Sequence, residues 1–71
     1  MFCRTALQHA MIDAKCSARE LADVCGISPS ALYRRLDGAV FFNLGEIDAC
    51  VSRLQLTPEK RDEIFFAPSV N

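Results

Sequence analysis

Four cysteines and one histidine are the side chains of this sequence that could bind a metal ion or act as nucleophiles. Zinc sites and redox motifs usually place two cysteines at CxxC spacing, but Cys3, Cys16, Cys25 and Cys50 form no such pair. No third, orienting group accompanies a cysteine and His9, as nucleophilic catalysis requires. The sequence therefore predicts a non-enzymatic protein with no metal, no cofactor and no small-molecule substrate.

The cysteine pattern leaves two alternatives, free thiols or disulfide bonds. Cys16, Cys25 and Cys50 fall at apolar-periodic positions, as small buried hydrophobic residues do. An even number of cysteines in a short chain is compatible with disulfides, but no signal-peptide pattern is present. We expect free thiols in a cytoplasmic protein, and no membrane partner, because no apolar run approaches the length of a membrane span.

Two consecutive arginines, Arg34 and Arg35, are the other side chains that could do chemistry, here as hydrogen-bond donors to an anion. The net charge of −1 gives no general attraction to nucleic acids. Its distribution is uneven, since residues 1–36 hold five basic and three acidic side chains and residues 37–71 hold three and six. The first half of the chain could therefore bind a polyanion. The alternative is that Arg34 and Arg35 simply form a solvated helix face, as most pairs of charged residues do.

The elements that must position these arginines are short helices. Apolar residues recur every three or four positions, so one all-α domain over residues 1–71 is expected, with a short C-terminal tail over 67–71. Helix N-caps are predicted at Ser17, Ser28, Asn43 and Thr57. The five predicted helices cover about 3–14, 18–25, 28–37, 44–54 and 58–65. The buried stripe of the fourth is predicted to include Leu44 and Ile47.

The third predicted helix has two chemically different faces. On a helical wheel Leu32 and Leu36 lie about 40° apart and define an aliphatic inner face. Ser30 and Arg34 point directly away from it. Such a helix can be held by its inner face while the outer face is offered to a ligand.

A three-residue corner joins the second and third helices within the stretch ARELADVCGISPSALYRRLDG (18–38). Ala22 is small enough for the two backbones to approach closely, and Gly26 suits a left-handed turn. Ile27 fills the corner. The pattern predicts a helix-turn-helix over about 17–37, an arrangement in which the second helix enters the major groove of DNA.

Residues 17–38 resemble the helix-turn-helix of the Cro/repressor (Xre-type) family. The positions that carry the resemblance are Ala22, Gly26, Ile27, Leu32 and Asp37-Gly38. The later segments LGEI (44–47) and LTPEKRDEIFF (56–66) look like those of small phage- and prophage-type regulators of that family. The resemblance covers about residues 5–66 and implies a lambda-repressor-like DNA-binding domain.

The resemblance also implies a function and a set of contacts. A member of this family would be a sequence-specific transcriptional regulator of the repressor type, bound to double-stranded DNA as a homodimer. The positions that would contact bases are Pro29, Ser30, Tyr33 and Arg34. The positions that would contact phosphates are Ser17, Arg19, Ser28 and Arg35. Each position also has a purely structural explanation. The serines would act only as helix caps, Tyr33 would cover the edge of the core, and the arginines would be solvated.

The C-terminal apolar residues suggest a second surface. Phe66 and Val70, with Phe41 in the loop GAVFF (38–42), exceed what a small core buries easily and are candidates for a dimer patch. We expect Ile64 or Phe65 to point inward. The same residues, the net acidity and the loop without basic side chains support an alternative, a protein-interaction module of antirepressor or assembly-factor type on the same fold.

Overall fold

The structure, a computed structural model, describes residues 2–66, and the regular secondary structure in that range is all helical, as the sequence predicts. The five helices are α1 (Arg4–Asp13), α2 (Ala18–Cys25), α3 (Pro29–Leu36), α4 (Leu44–Leu54) and α5 (Pro58–Phe65). The observed bounds differ from the predicted ones by about one residue at some helix ends. None of the helices within residues 2–66 is long and apolar enough to cross a membrane.

Side-chain caps begin four of the five helices. Ser17 and Asn43 each form a reciprocal capping box, with Glu20 and Glu46 three residues later. The hydroxyls of Ser28 and Thr57 accept the backbone N–H groups of Ala31 and Lys60, each at 3.1 Å. Because each cap satisfies an N–H group that no carbonyl in the helix can reach, these side chains fix where the helices start.

The core lies where α2 packs against both α3 and α4, and where α1 packs against α5. Its buried apolar side chains are Leu7, Met11, Cys16, Leu21, Ala22, Leu32, Leu36, Ile47, Cys50, Leu54, Ile64 and Phe65. Both Ile64 and Phe65 point inward. The predicted burial of Leu44 is wrong, because Leu44 is 72% exposed and is not part of the buried stripe of α4.

Three phenylalanines pack together beside the core, where the segment before α1 meets the end of α5. Each ring contacts the other two: the ring centroid of Phe42 is 5.2 Å from that of Phe2 and 5.3 Å from that of Phe65, and the Phe2 and Phe65 centroids are 5.9 Å apart. Nearby, the backbone N–H of Cys3 donates to the carbonyl of Ile64 at 2.6 Å. The segment before α1 is thereby joined to the end of α5.

The corner between α2 and α3 has the left-handed residue that the sequence predicts. Gly26 has φ 74° and ψ 27°, and the Ile27 N–H donates to the carbonyl of Ala22 at 3.0 Å. A Cβ atom placed on Gly26 would meet no atom within 4 Å. Any cost of substitution here is therefore conformational rather than steric crowding.

We expect Gly26→Val to lower the free energy of unfolding by about 1–3 kcal/mol, because a β-branched residue is strongly disfavoured at positive φ. Urea denaturation followed by circular dichroism measures the change. Gly45→Ala is the control, because Gly45 lies inside α4, where alanine is favoured by up to about 1 kcal/mol. Equal stability of Gly26→Val and the wild type would show that the corner tolerates another backbone conformation.

Candidate nucleic-acid interface

The outward face of α3 carries the four side chains predicted to contact bases. Pro29, Ser30, Tyr33 and Arg34 are all exposed, and Tyr33 is about half accessible. Among residues 2–66, Arg34 has no ion-pair partner, so its guanidinium group is free to bind a ligand. These side chains share one element and one exposed surface.

The inward face of α3 is held by two leucines and by caps at its ends. Leu32 is fully buried and Leu36 is nearly so. Ser28 caps the first turn, and beyond the C-cap residue Asp37 the chain leaves the helix at Gly38, which has φ 85°. The helix is therefore fixed in rotation about its axis, and the direction in which Arg34 projects is fixed with it.

Arg35, a predicted phosphate contact, is held against α4 rather than free on the surface of α3. Its side chain is only 16% exposed, and its Nε donates to the Oε1 of Glu46 at 2.8 Å. Its Nη1 donates to the carbonyl oxygen of Ala31 at 3.1 Å. A guanidinium group engaged in these bonds fastens α3 to α4, so we remove Arg35 from the candidate phosphate contacts.

Glu46 has two structural roles, of which the sequence reveals one. Its Oε1 accepts the backbone N–H of Asn43 at 3.1 Å as part of the capping box, and the same oxygen accepts from Arg35. Asn43 in turn accepts the N–H of Glu46 through Oδ1 at 2.8 Å. Glu46 is the buried charged residue within the described range. The sequence predicts the capping role of Glu46. It does not predict the ion pair, because a separation of eleven residues between Arg35 and Glu46 does not show that the two side chains meet.

The start of α2 holds two of the predicted phosphate contacts, Ser17 and Arg19, both exposed. Its N-terminal end already carries an anion, because the Ser17 N–H donates to the Oε1 of Glu20 at 2.9 Å. That hydrogen bond is the main cause that lowers the pKa of Glu20. A lowered pKa means that the capping bond contributes to stability above the usual pKa of a carboxyl group and is lost as the pH falls through the lowered value. At neutral pH the carboxylate uses part of the anion-binding capacity of this helix end.

Arg4 is a residue that the sequence analysis did not connect with α3. It forms an ion pair with Asp37, which follows the last residue of α3, and both side chains are largely exposed. The pair neutralises an acidic side chain that would otherwise face any polyanion bound along α3. No local spacing predicts it, because the two residues come together only through the packing of α1 near α3.

The predicted dimer-patch residues are accessible where the structure describes them. Phe41 is 88% exposed and Phe66 is 48% exposed, and both line an apolar groove with the phenylalanine cluster and Ile47. Val70 lies outside the described residues. The exposed Leu44 adds a further apolar side chain that sequence reasoning assigned to the core.

The other groups considered for chemistry do not gather into a metal centre. Within residues 2–66, no three side chains of the His, Cys, Asp and Glu types lie close enough to hold a metal ion. All four cysteines are free thiols. Cys25 and Cys50 nevertheless lie side by side, with their Sγ atoms 3.7 Å apart.

Comparison with known proteins identified no relative of this chain. No family model, no curated protein and no solved structure matches the chain significantly.

Proposed function

We propose that the protein is a sequence-specific DNA-binding regulator with α2 and α3 as a helix-turn-helix and α3 as the recognition helix. One observation carries the proposal: α3 is capped, anchored on its inner face and tied to α4, while its outer face presents Ser30, Tyr33 and Arg34. An anchored helix with an exposed outer face and a free guanidinium suits the major groove. The resemblance to the Cro/repressor family supports the same function and a cytoplasmic, repressor-type role.

Three of the exposed residues of α3 have a specific role within this proposal. Arg34 would donate two hydrogen bonds to the O6 and N7 atoms of a guanine, and Ser30 would bond to a neighbouring base edge. Tyr33 lies beside them and would contact a thymine methyl group or a phosphate. Arg19 and the capping serines Ser17 and Ser28 are the proposed phosphate contacts.

Charge constrains how tightly such a protein binds. The chain has a net charge of −1, so attraction to DNA must come from a local group of cations rather than from the whole molecule. The Arg4–Asp37 pair and the Arg35–Glu46 pair each cancel a cation near α3. We therefore propose few phosphate contacts per protomer and a binding specificity that depends strongly on Arg34.

A homodimer that binds two half-sites about one helical turn apart is part of the proposal. The exposed side chains of Phe41 and Phe66, which line one apolar groove, support it, because exposed hydrophobic patches often mark interfaces. A second copy would double the number of base contacts and supply the affinity that one acidic protomer lacks.

Selection from a pool of random duplex DNA, followed by footprinting, tests the proposed function. A selected site should contain two related half-sites, and the affinity should fall as salt rises, with a logarithmic slope of about −0.9 for each phosphate contact. If no sequence is enriched and binding to duplex DNA is absent at low salt, the proposal fails. A partner protein bound through Phe41 with little salt dependence would then favour the interaction-module alternative.

Phe66→Ser is expected to shift a dimer toward monomer at micromolar concentration, because it removes a half-exposed aromatic side chain from the proposed interface. Sedimentation velocity measures the shift. Val24→Ser is a matched control, since Val24 is 46% exposed but belongs to α2. A wild-type protein that is monomeric at high concentration and also on DNA would refute this interface.

A further inference from the structure

The thiols of Cys25 and Cys50 meet at the contact between α2 and α4. Their Sγ atoms are 3.7 Å apart, and the Sγ of Cys25 also lies 3.7 Å from the carbonyl oxygen of Glu46. Cys25 is the last residue of α2 and is partly exposed, whereas Cys50 is fully buried within α4. The thiol of Cys25 is therefore accessible to a reagent, and the thiol of Cys50 lies next to it in the core.

We propose that Cys25 and Cys50 are a redox modification site, at which oxidation forms a reversible intramolecular disulfide that joins α2 to α4. A disulfide needs its sulfur atoms at about 2.05 Å, so each sulfur has to move by less than about 1 Å. The two helices are already packed against each other, which means that the bond closes within the native arrangement. This inference does not depend on whether the protein binds DNA.

The reaction balances with a two-electron oxidant of the azo class, such as diamide. The sulfur of Cys25 adds to one nitrogen of the N=N bond and its hydrogen passes to the other nitrogen. The sulfur of Cys50 then attacks the sulfur of Cys25, the S–N bond breaks, and the released nitrogen takes the second thiol hydrogen. Two thiols become one disulfide while the azo group becomes a hydrazine. Hydrogen peroxide would oxidise the same pair, with both of its oxygen atoms leaving as water.

The surroundings of the pair explain why it stays reduced without an oxidant. Burial raises the pKa of both thiols, and most strongly that of Cys50, so both are protonated at neutral pH. Thiolate is the reactive form, and its scarcity makes spontaneous oxidation slow. Access then decides which sulfur reacts first, and Cys25 is the more exposed of the two.

The remaining cysteines do not offer a competing pair. The Sγ of Cys16 donates to the carbonyl oxygen of Ser17 at 3.5 Å. Within the described part of the chain, no other two cysteines lie within hydrogen-bonding distance of each other. The structure therefore singles out one of the possible pairings.

Peptide mapping after oxidation by diamide tests the proposal on the intact chain. Trypsin cleaves after Arg4, Lys15, Arg19, Arg34, Arg35 and Arg53, which places the four cysteines in four different peptides. Free thiols are blocked under denaturing conditions before digestion. We expect a monomer that has lost two hydrogen atoms, a cross-link between peptides 20–34 and 36–53, and complete reversal by dithiothreitol.

Stability measurements add a readout that is independent of the mapping. The oxidised protein should melt on the order of 10 °C or more above the reduced protein, because the bond closes a loop that is open in the unfolded chain. Cys25→Ser should form no cross-link and show no rise in Tm on oxidation. Cys3→Ser should behave like the wild type in both measurements. If Cys25→Ser fails to fold, Cys25→Ala replaces it.

Three outcomes overturn the proposal. The first is a cross-link that contains Cys3 or Cys16, or one that joins two chains. The second is the absence of a cross-link after oxidation of the folded protein. The third is a cross-linked protein whose Tm is not raised, since a bond that strains or requires unfolding is not one that forms across the native α2–α4 contact.

Discussion

Glu46→Ala is expected to lower the free energy of unfolding by up to about 3–5 kcal/mol, because removing the buried partner leaves the partly buried guanidinium of Arg35 without its counter-charge. The same change removes the acceptor of the Asn43 N–H and so weakens the start of α4. The single core of a chain of this size rarely supplies more than about 3–5 kcal/mol, so the loss approaches the whole stability of the domain. Urea denaturation monitored by circular dichroism gives the value, and Glu46→Gln is the milder variant if the alanine protein does not fold.

Glu20→Ala is the matched control for this prediction. Glu20 occupies the same capping-box position in α2, and its pairing with Arg53 at 3.7 Å is exposed to water. We expect a clearly smaller loss than for Glu46. Similar losses in the two variants would mean that the bond to Arg35 adds nothing beyond the cap. The double variant Arg35→Leu, Glu46→Leu should be more stable than the sum of the two single changes predicts, because no unpaired charge is left buried.

Arg34→Ala is expected to weaken binding to the selected DNA site by about 1–3 kcal/mol per half-site and to relax the preference at one base position. Arg34 is exposed and projects away from the buried Leu32 and Leu36, so the free energy of unfolding should change by no more than about 0.5 kcal/mol. Titration of the variant against the selected site and against single-base substitutions of it measures both effects.

Arg61→Ala is the charge-matched control, because Arg61 is a partly exposed arginine on α5 rather than on α3. It should leave DNA affinity and base preference unchanged. Arg35→Ala is unsuitable as a control, because it breaks the ion pair with Glu46. A loss of DNA affinity in that variant would then reflect a loss of folding stability as well as a lost contact. Folded Arg34→Ala protein with wild-type affinity and preference would rule out α3 as the recognition helix.

The sequence predicts features whose partners are near one another in the chain. The capping boxes at Ser17 and Asn43 and the left-handed Gly26 follow from interactions that span three or four residues. The Arg35–Glu46 bond depends on how α4 lies against α3, and helix spacing on one element contains no information about that. Tertiary packing therefore decides which of two adjacent arginines is available to a ligand.

Leu44 shows a similar limit within a single helix. On the wheel it lies about 60° from Ile47, at the edge of the apolar stripe, so periodicity places it with the core. It is also the first residue of α4, and there it remains in solvent. Periodicity alone therefore does not show whether a residue at a helix end is buried.

The hydrogen bond from Cys3 to Ile64 has a consequence for the order of folding. Contacts among α2, α3 and α4 join neighbouring parts of the chain, whereas α1 finds its partner only when α5 is present. Closing that long loop costs more chain entropy than closing the short ones, so α2–α4 should assemble first. Helix α1 accordingly completes its packing only after α5 has formed. Amide exchange at Cys3 then reports on the last step of folding.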